Sequence, residues 1–272
     1  MALYGIVGDI HGNREALAAV LECLDRGRVD AILCVGDIVG YNADPDECAA
    51  LLRSRGAVAI AGNHDLISIG RLDLGRCGNK VVYSLKRTRR AIAPQTASYL
   101  ASLPTHRVLE GRVLLVHAGV RDVEQYVVAA AQVRENAGHL REDFPGLTVC
   151  FFGHVHVQKV WEVSGDEVRE VPLDGPVALR ADRTYFINPG SVDAARKGDS
   201  KLAEFALLDT ASWRIEFHRV AYDEAASEAK AAAGGYRIDA WTDRYYSLTR
   251  QMRRARDGLV RHASGRLRAR VG

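Results

Sequence analysis

The sequence predicts an α/β protein, and three observations carry that expectation. Residues 1–65 alternate short apolar runs with amphipathic stretches in the order β-α-β-α-β, the sign of parallel strands joined by right-handed crossovers. From residue 157 onward the texture changes to closely spaced strand-like runs, with turns such as Ser164-Gly165-Asp166 between them. Five apolar runs also end alike, in polar residues, four of them directly after a glycine. Polar groups at the carboxyl ends of such strands lie in the crevice where α/β sheets bind ligands.

Taken in order, Leu3-Tyr4-Gly5-Ile6-Val7 is a continuous apolar stretch of strand length with no helical period. Leu17, Val20, Leu21 and Leu24 then recur at helical spacing, with Asn13 as the N-cap. Ala31–Val35 reads as the second strand. A helix starts near Asp44-Pro45, with proline early and acids in its first turn, and runs to about Arg53. Val58–Ile60 is the third strand. Residues 66–106 show no strand alternation and read as helical, a candidate insertion or lid between two groups of polar strand ends. A strand at Val113–Val116, a helix over 123–141 and a strand at Leu147–Phe152 follow. Val157–Val163, Val168–Val171, Tyr185–Asn188, Leu202–Leu208 and Trp213–Val220 are then strand-like, and a second, largely antiparallel sheet is their simplest arrangement. Asp223–Ala233 is a strong helix former that stops at Gly234-Gly235, and Ile238–Val260 is a second helical stretch. Residues 1–222 thus form the expected main domain, and 223–272 a basic helical extension packed on or beside it.

Composition narrows the class. An apolar fraction of 47% and a charged fraction of 26% are those of a soluble globular chain. No apolar run approaches the ~18 residues of a membrane span, and residues 1–7 lack the form of a signal peptide. The five cysteines are scattered, with no Cys-x-x-Cys pair, and read as reduced thiols. The expectation is a cytoplasmic protein with no membrane partner. The net charge of +3 is unevenly spread, because residues 243–272 hold nine arginines against Asp243 and Asp257, leaving an acidic remainder. Three readings of that basic tail stay open: a solvated helix face, an oligomer contact or dock on the main domain, and a grip on nucleic acid.

The five strand ends deliver Asp9 and His11, then Asp37, then Asn63 and His64, then His117, then His154 and His156. Two residues apart on an extended backbone, Asp9 and His11 are expected to point the same way. Five of the nine histidines are used in this manner. Imidazoles with carboxylates and an amide, and no thiolate, suit a pair of divalent ions such as manganese, iron or zinc and suit magnesium or calcium poorly.

The ordered motifs Gly8–Asn13, Gly36-Asp37, Gly62–Asp65, His117 and Gly153–His156 resemble the calcineurin-like metallophosphoesterases, over roughly residues 3–220. The stretches Asp37–Tyr41, Asp44-Pro45 and Ile187–Ser191 resemble its small prokaryotic phosphoesterase branch. The resemblance implies a four-layer α/β/β/α sandwich and an enzyme that hydrolyses phosphomonoesters or phosphodiesters by in-line attack of a metal-bridging hydroxide. Carried over, one ion would take Asp9, His11 and His156 and the other Asn63, His117 and His154, with Asp37 bridging. A carboxylate has the two oxygens that this bridging needs. His64 matches the family's catalytic residue, which meets the phosphate and assists the leaving group, and Asn188 and Ser191 would lie in a supporting loop. Manganese is the favoured metal.

The protein serine/threonine phosphatase branch reads Gly-Asp-x-Val-Asp-Arg-Gly where this chain has Gly36-Asp37-Ile38-Val39-Gly40-Tyr41-Asn42. The Asp that would orient the catalytic His and the Arg that would grip phosphate are both replaced, which argues against a protein phosphatase. Asn13, Tyr41 and Asn42 are the candidate substrate contacts, with Arg71 or Arg76 as replacements for the missing arginine. The alternatives are a nuclease of the same fold, which the basic tail would favour, and a non-catalytic interaction scaffold. The scaffold reading needs ligand loss, and no motif ligand is replaced.

Overall fold

The computed structural model describes residues 1–193 and 201–249. Two six-stranded mixed sheets face each other. The first contains β1 (Leu3–Val7), β2 (Ala31–Cys34), β3 (Val58–Ala59), β9 (Val177–Ala178), β11 (Ala203–Asp209) and β12 (Arg214–Val220), in the order β3-β2-β1-β11-β12-β9. The second contains β4 (His106–Leu109), β5 (Val113–Val116), β6 (Val149–Phe151), β7 (Lys159–Ser164), β8 (Glu167–Val171) and β10 (Thr184–Asn188), in the order β4-β5-β6-β10-β7-β8.

Strand alternation decides which layer each side chain joins. Ile6, Leu33 and Val35 point between the sheets, where they meet Leu115, Phe151, Tyr185 and Ile187. Their neighbours Val7 and Cys34 point outward, onto Leu17, Leu21 and Leu24 of α1 (Arg14–Arg26) and Leu52 of α2 (Pro45–Ser54), with Leu100 of α5 (Pro94–Ser102) in the same cluster. On the far side Leu114, Cys150 and Phe186 pack against Val133, Ala137 and Leu140 of α6 (Ala130–Asp143). The order is helix, sheet, sheet, helix, as the resemblance implies. The short helix α3 (Asn63–Ser68) and the longer α4 (Asn79–Ala91) lie with α5 in the segment between β3 and β4. Asn13 caps α1 by accepting the Ala16 amide at 3.1 Å, and Asp223 caps α7 (Glu224–Ala233) on the Ala226 amide at 2.9 Å.

The strand pairing departs from expectation. A separate, largely antiparallel second sheet does not form. β10 runs parallel to β6, while β11 returns to pair antiparallel with β1, so each sheet draws on both halves of the chain. Runs buried on both faces carry no periodicity that names their neighbours. The edge strands β4 and β9 were not expected either, since β4 begins with three exposed residues and β9 has only two residues. Within the expected helical stretches, residues 70–78 form turns and bends, and 123–129 are non-helical. Helix α3 starts at Asn63, so Asn63 and His64 open a helix rather than end a strand.

Among the described residues no helix is long and apolar enough to cross a membrane. All five cysteines are free, and four are buried. Beyond α7, residues 240–249 form a further helix, α8, and residues 250–272, which carry most of the arginine-rich tail, lie outside the described residues.

Candidate metal centre

The site is built from turns that hold one another. The Asp9 amide donates to Gly36 O at 3.0 Å, the Ile10 and His11 amides to Asp37 O at 2.8 and 2.9 Å, and the Gly12 amide to Ile38 O at 2.9 Å. In return the Asn42 amide donates to His11 O at 2.9 Å. Within this lacing Asp9, His11 and Asp37 take left-handed backbone conformations, at φ 50°, 52° and 55°, as do His154 and His156 at 67° and 58°. Such a conformation costs a non-glycine residue roughly 1–2 kcal/mol and is kept where surrounding bonds over-determine it. Asp9 and His11 therefore converge through a turn, where an extended backbone was expected.

Further bonds close the frame. Asp65 accepts the Ile38 and Val39 amides on one oxygen, at 2.9 and 3.1 Å, and the Gly62 amide on the other at 2.9 Å. The Asn188 amide group donates to Gly153 O at 2.8 Å and the Ser191 hydroxyl to Asp9 O at 2.9 Å, which places that loop in support of the site. Gly62 permits the closest approach, because a Cβ there would fall 2.1 Å from Asp37 Oδ1.

The seven expected ligands come together, each 8% exposed or less. Asp9 Oδ1 lies 3.3 Å from His156 Nε2, and His11 Nε2 lies 3.1 Å from His156 Nε2. Beside them, His117 Nε2 is 3.0 Å from Asn63 Oδ1 and 3.3 Å from Asp37 Oδ2. Ligand atoms of Asp9, His11 and His156 form one cation-sized group, and those of Asp37, His117 and His154 another. A third group, of His11, Asp37 and His64, overlaps both. His64 also donates its backbone amide to Asp37 Oδ1 at 2.8 Å.

Proton positions make the case for a cation. His117 Nδ1 lies 2.8 Å from the Val35 carbonyl, which can only accept, so Nδ1 carries the proton. Its Nε2 faces Asn63 Oδ1 and Asp37 Oδ2, the latter a buried oxygen that makes no hydrogen bond. His154 Nε2 is likewise buried without a hydrogen bond. In a dry site these oxygens need a positive charge facing them, which a proton on His117 Nε2 supplies and a metal ion can replace. The protonation tendencies agree. Burial alone would lower the His117 imidazole, but the Asp37 charge outweighs it and raises the group to about 9. Burial and then the His117 charge push His154 down to about 4. Two neighbouring imidazoles driven apart in this way mark a carboxylate seeking a cation. The nitrogen and oxygen donors, with no thiolate, fit manganese, iron or zinc.

Above this floor opens a cavity of about 150 Å³. Its rim is Tyr41, Arg76, Cys77, Val81, Glu124 and Tyr126. Arg76 faces the cavity, paired with Asp122 at 2.8 Å, while Arg71 turns away to Ala101 O at 2.7 Å. Tyr41 packs edge-on against the His11 and His64 rings, 4.7 Å from each. Asn13 is engaged at both ends, on the Ala16 amide and on Asp193 at 3.0 Å. Asn42 reaches back to His11 O at 3.2 Å. Glu124 and Tyr126 were not anticipated, because they fall in the stretch that was expected to be helical. Tyr126 lies 4.3 Å from the His154 ring. Arg237 is also new to the site's surroundings, bonding Tyr41 O at 2.9 Å, and no motif marks it.

The family described as the calcineurin-like phosphoesterase superfamily domain matches residues 2–212. An uncharacterized protein of Methanocaldococcus jannaschii is 30% identical over 225 residues, which cover 82% of this chain and 88% of that one. The crystal structure of a metallophosphoesterase from Sphaerobacter thermophilus is 30% identical with a TM-score of 0.72, covering 89% of this chain and 96% of that one. A hypothetical protein from Pyrococcus horikoshii shares the fold at 17% identity and a TM-score of 0.66, covering 90% of this chain and 97% of that one.

Proposed function

The chain belongs to the calcineurin-like phosphoesterase superfamily and is a phosphoesterase hydrolase, and from that premise we propose that it hydrolyses phosphomonoesters or phosphodiesters with two divalent cations. One would be held by Asp9, His11 and His156, the other by Asn63, His117 and His154, with the Asp37 carboxylate shared. The observation that carries this reading is the buried Asp37 Oδ2, which makes no hydrogen bond and lies 3.3 Å from His117 Nε2, with His11 and His64 close by.

When bound, such a pair supplies a hydroxide-like nucleophile near neutral pH and offsets charge on the phosphoryl oxygens. The chain's own residues do the rest. The laced turns hold the donor atoms in place before substrate arrives, so little reorganisation remains for the reaction itself. His64 lines the cavity beside Asp37 without being needed for either ligand set. In this reading its imidazole meets the phosphate and gives a proton to the departing oxygen. Arg76 and Tyr126 lie on the rim, where a leaving group would rest.

The test is the manganese-loaded protein assayed on an aryl phosphomonoester, an aryl phosphodiester, a cyclic nucleotide and single-stranded DNA. Turnover of at least one class, abolished by chelation and restored by metal, is expected. No turnover of any class at full metal occupancy would overturn the reading.

A further inference from the structure

The wall behind the two central imidazoles is the turn Gly40-Tyr41-Asn42. Gly40 has φ +152°, and a Cβ there would lie 2.7 Å from His64 Nδ1 and 2.8 Å from His11 Nδ1. Asn42 clasps His11 O with both its backbone and side-chain amides, at 2.9 and 3.2 Å. His64 Nε2 faces Asp37 Oδ2 at 4.0 Å, whereas Nδ1 is buried and makes no hydrogen bond, so on that side packing against this wall holds the ring. The carboxylate that would orient it in the protein phosphatases is replaced by Gly40 itself.

The wall offers three acceptors, and residues outside its own sheet take them. Thr88 of α4 donates its hydroxyl to Gly40 O at 2.6 Å. Arg237, from the connection between α7 and α8, donates to Tyr41 O at 2.9 Å and to Asn42 Oδ1 at 3.0 Å. The remaining face of its guanidinium bonds Glu228 on α7, with Nε 2.9 Å from Oε1. Lys230 anchors the same helix to Glu15 at 2.6 Å and to Asp44 at 2.9 Å, across the starts of α1 and α2.

We propose that Arg237 is a positioning residue that fixes the Gly40–Asn42 turn and, through it, the His11 and His64 rings. The segment after Tyr222 then completes the active site from outside the main domain. Its effect on rate rests on the reading of His64 given above, whereas its effect on the turn does not. A planar fork held at one edge by Glu228 presents its other edge to two acceptors at once, which an ammonium cannot do.

The test uses the full chain as wild type, Arg237→Ala and Arg237→Lys, with metal content, steady-state kinetics and residue-level hydrogen exchange. In Arg237→Ala the Asn42 amide should exchange faster while metal content stays at the wild-type level. Its kcat should fall by about 10- to 100-fold with KM nearly unchanged, as expected when reacting groups are slightly misplaced. Lysine should restore little of either. Unchanged exchange at Asn42 would overturn the clamp whatever the activity. Faster exchange with unchanged kcat, or full rescue by lysine, would overturn the positioning role. If the wild type hydrolyses no phosphate ester, the functional reading fails by itself, and the exchange result still decides the clamp.

Discussion

Asp9 and His11, on the floor of the cavity, are fully buried, in left-handed conformations and laced by backbone bonds. Tyr126, on its rim a few ångströms away, is 59% exposed, and Arg76 is held by an exposed ion pair to Asp122, with the Glu124 carboxylate and carbonyl beside it. Exposed ion pairs of that kind are worth ~0–1 kcal/mol. The floor must be held against its own chemistry, because lone pairs and like charges crowd one point. Only a frame rigid before metal arrives can do that. The rim bears no such load, and on the proposed function its residues would answer to the leaving group. On that reading, the floor would define the reaction and the rim the substrate.

The comparison can be broken at the floor first. His64→Ala should lower the rate by about 10²–10⁴ on esters with poor leaving groups while keeping both metals. The loss should shrink for nitrophenolate, which departs without a proton. A variant equally slow with every leaving group would make His64 a phosphate contact, and one short of a metal would make it a ligand. Asp37→Asn should cost about 10²–10³ in rate and lower metal content toward one ion or none. Elemental analysis that finds two tightly held ions in that variant would remove the bridging assignment. Gly40→Ala tests the wall, since its Cβ would collide with two imidazoles. A loss of about 1–3 kcal/mol by denaturant unfolding, with activity falling too, is expected, and wild-type stability would mean the turn is free to shift.

Changes at the rim should be smaller. Arg76→Ala should leave metal content and stability within about 0.5 kcal/mol of wild type and raise KM severalfold. Tyr126→Ala should alter KM for aryl esters more than for alkyl esters, with kcat little changed. Rim variants that lose metal would erase the distinction between floor and rim.

The same division separates what the sequence made legible from what it hid. Asp9, His11, Asp37, Asn63, His117, His154 and His156 follow apolar runs, and all but His117 stand one or three residues after a glycine, where neighbouring turns approach too closely for a side chain. Gly62 is one such case, since a side chain would occupy the place of Asp37 Oδ1. Glu124 and Tyr126 reach the cavity through an irregular segment that has neither period nor glycine punctuation. Arg237 bonds a residue 196 positions away, through a contact made by packing of α7 on α1. Pairing order was hidden for a related reason, because Ile6-Val7 and Leu114-Leu115 are apolar on both faces and name no neighbour.

The place of β1 in its sheet has a consequence for folding. One edge of β1 is covered by β2, about two dozen residues away, but the other pairs with β11, with Leu3 opposite Asp209 and Ile6 opposite Ala206. Just before β11 the chain closes the first turn of the site, where the Val192 and Asp193 amides donate to Gly8 O and Asp9 O, each at 3.0 Å. Covering the β1 edge and completing the surroundings of Asp9 therefore both wait on the same late stretch of chain, nearly two hundred residues after β1. Contacts of such long range form slowly, and an apolar strand with a bare edge pairs readily with another chain in the meantime. On this topology a refolding chain should meet its aggregation hazard early and remove it late. The yield of refolding should fall as protein concentration rises, while the midpoint of reversible unfolding stays where it is.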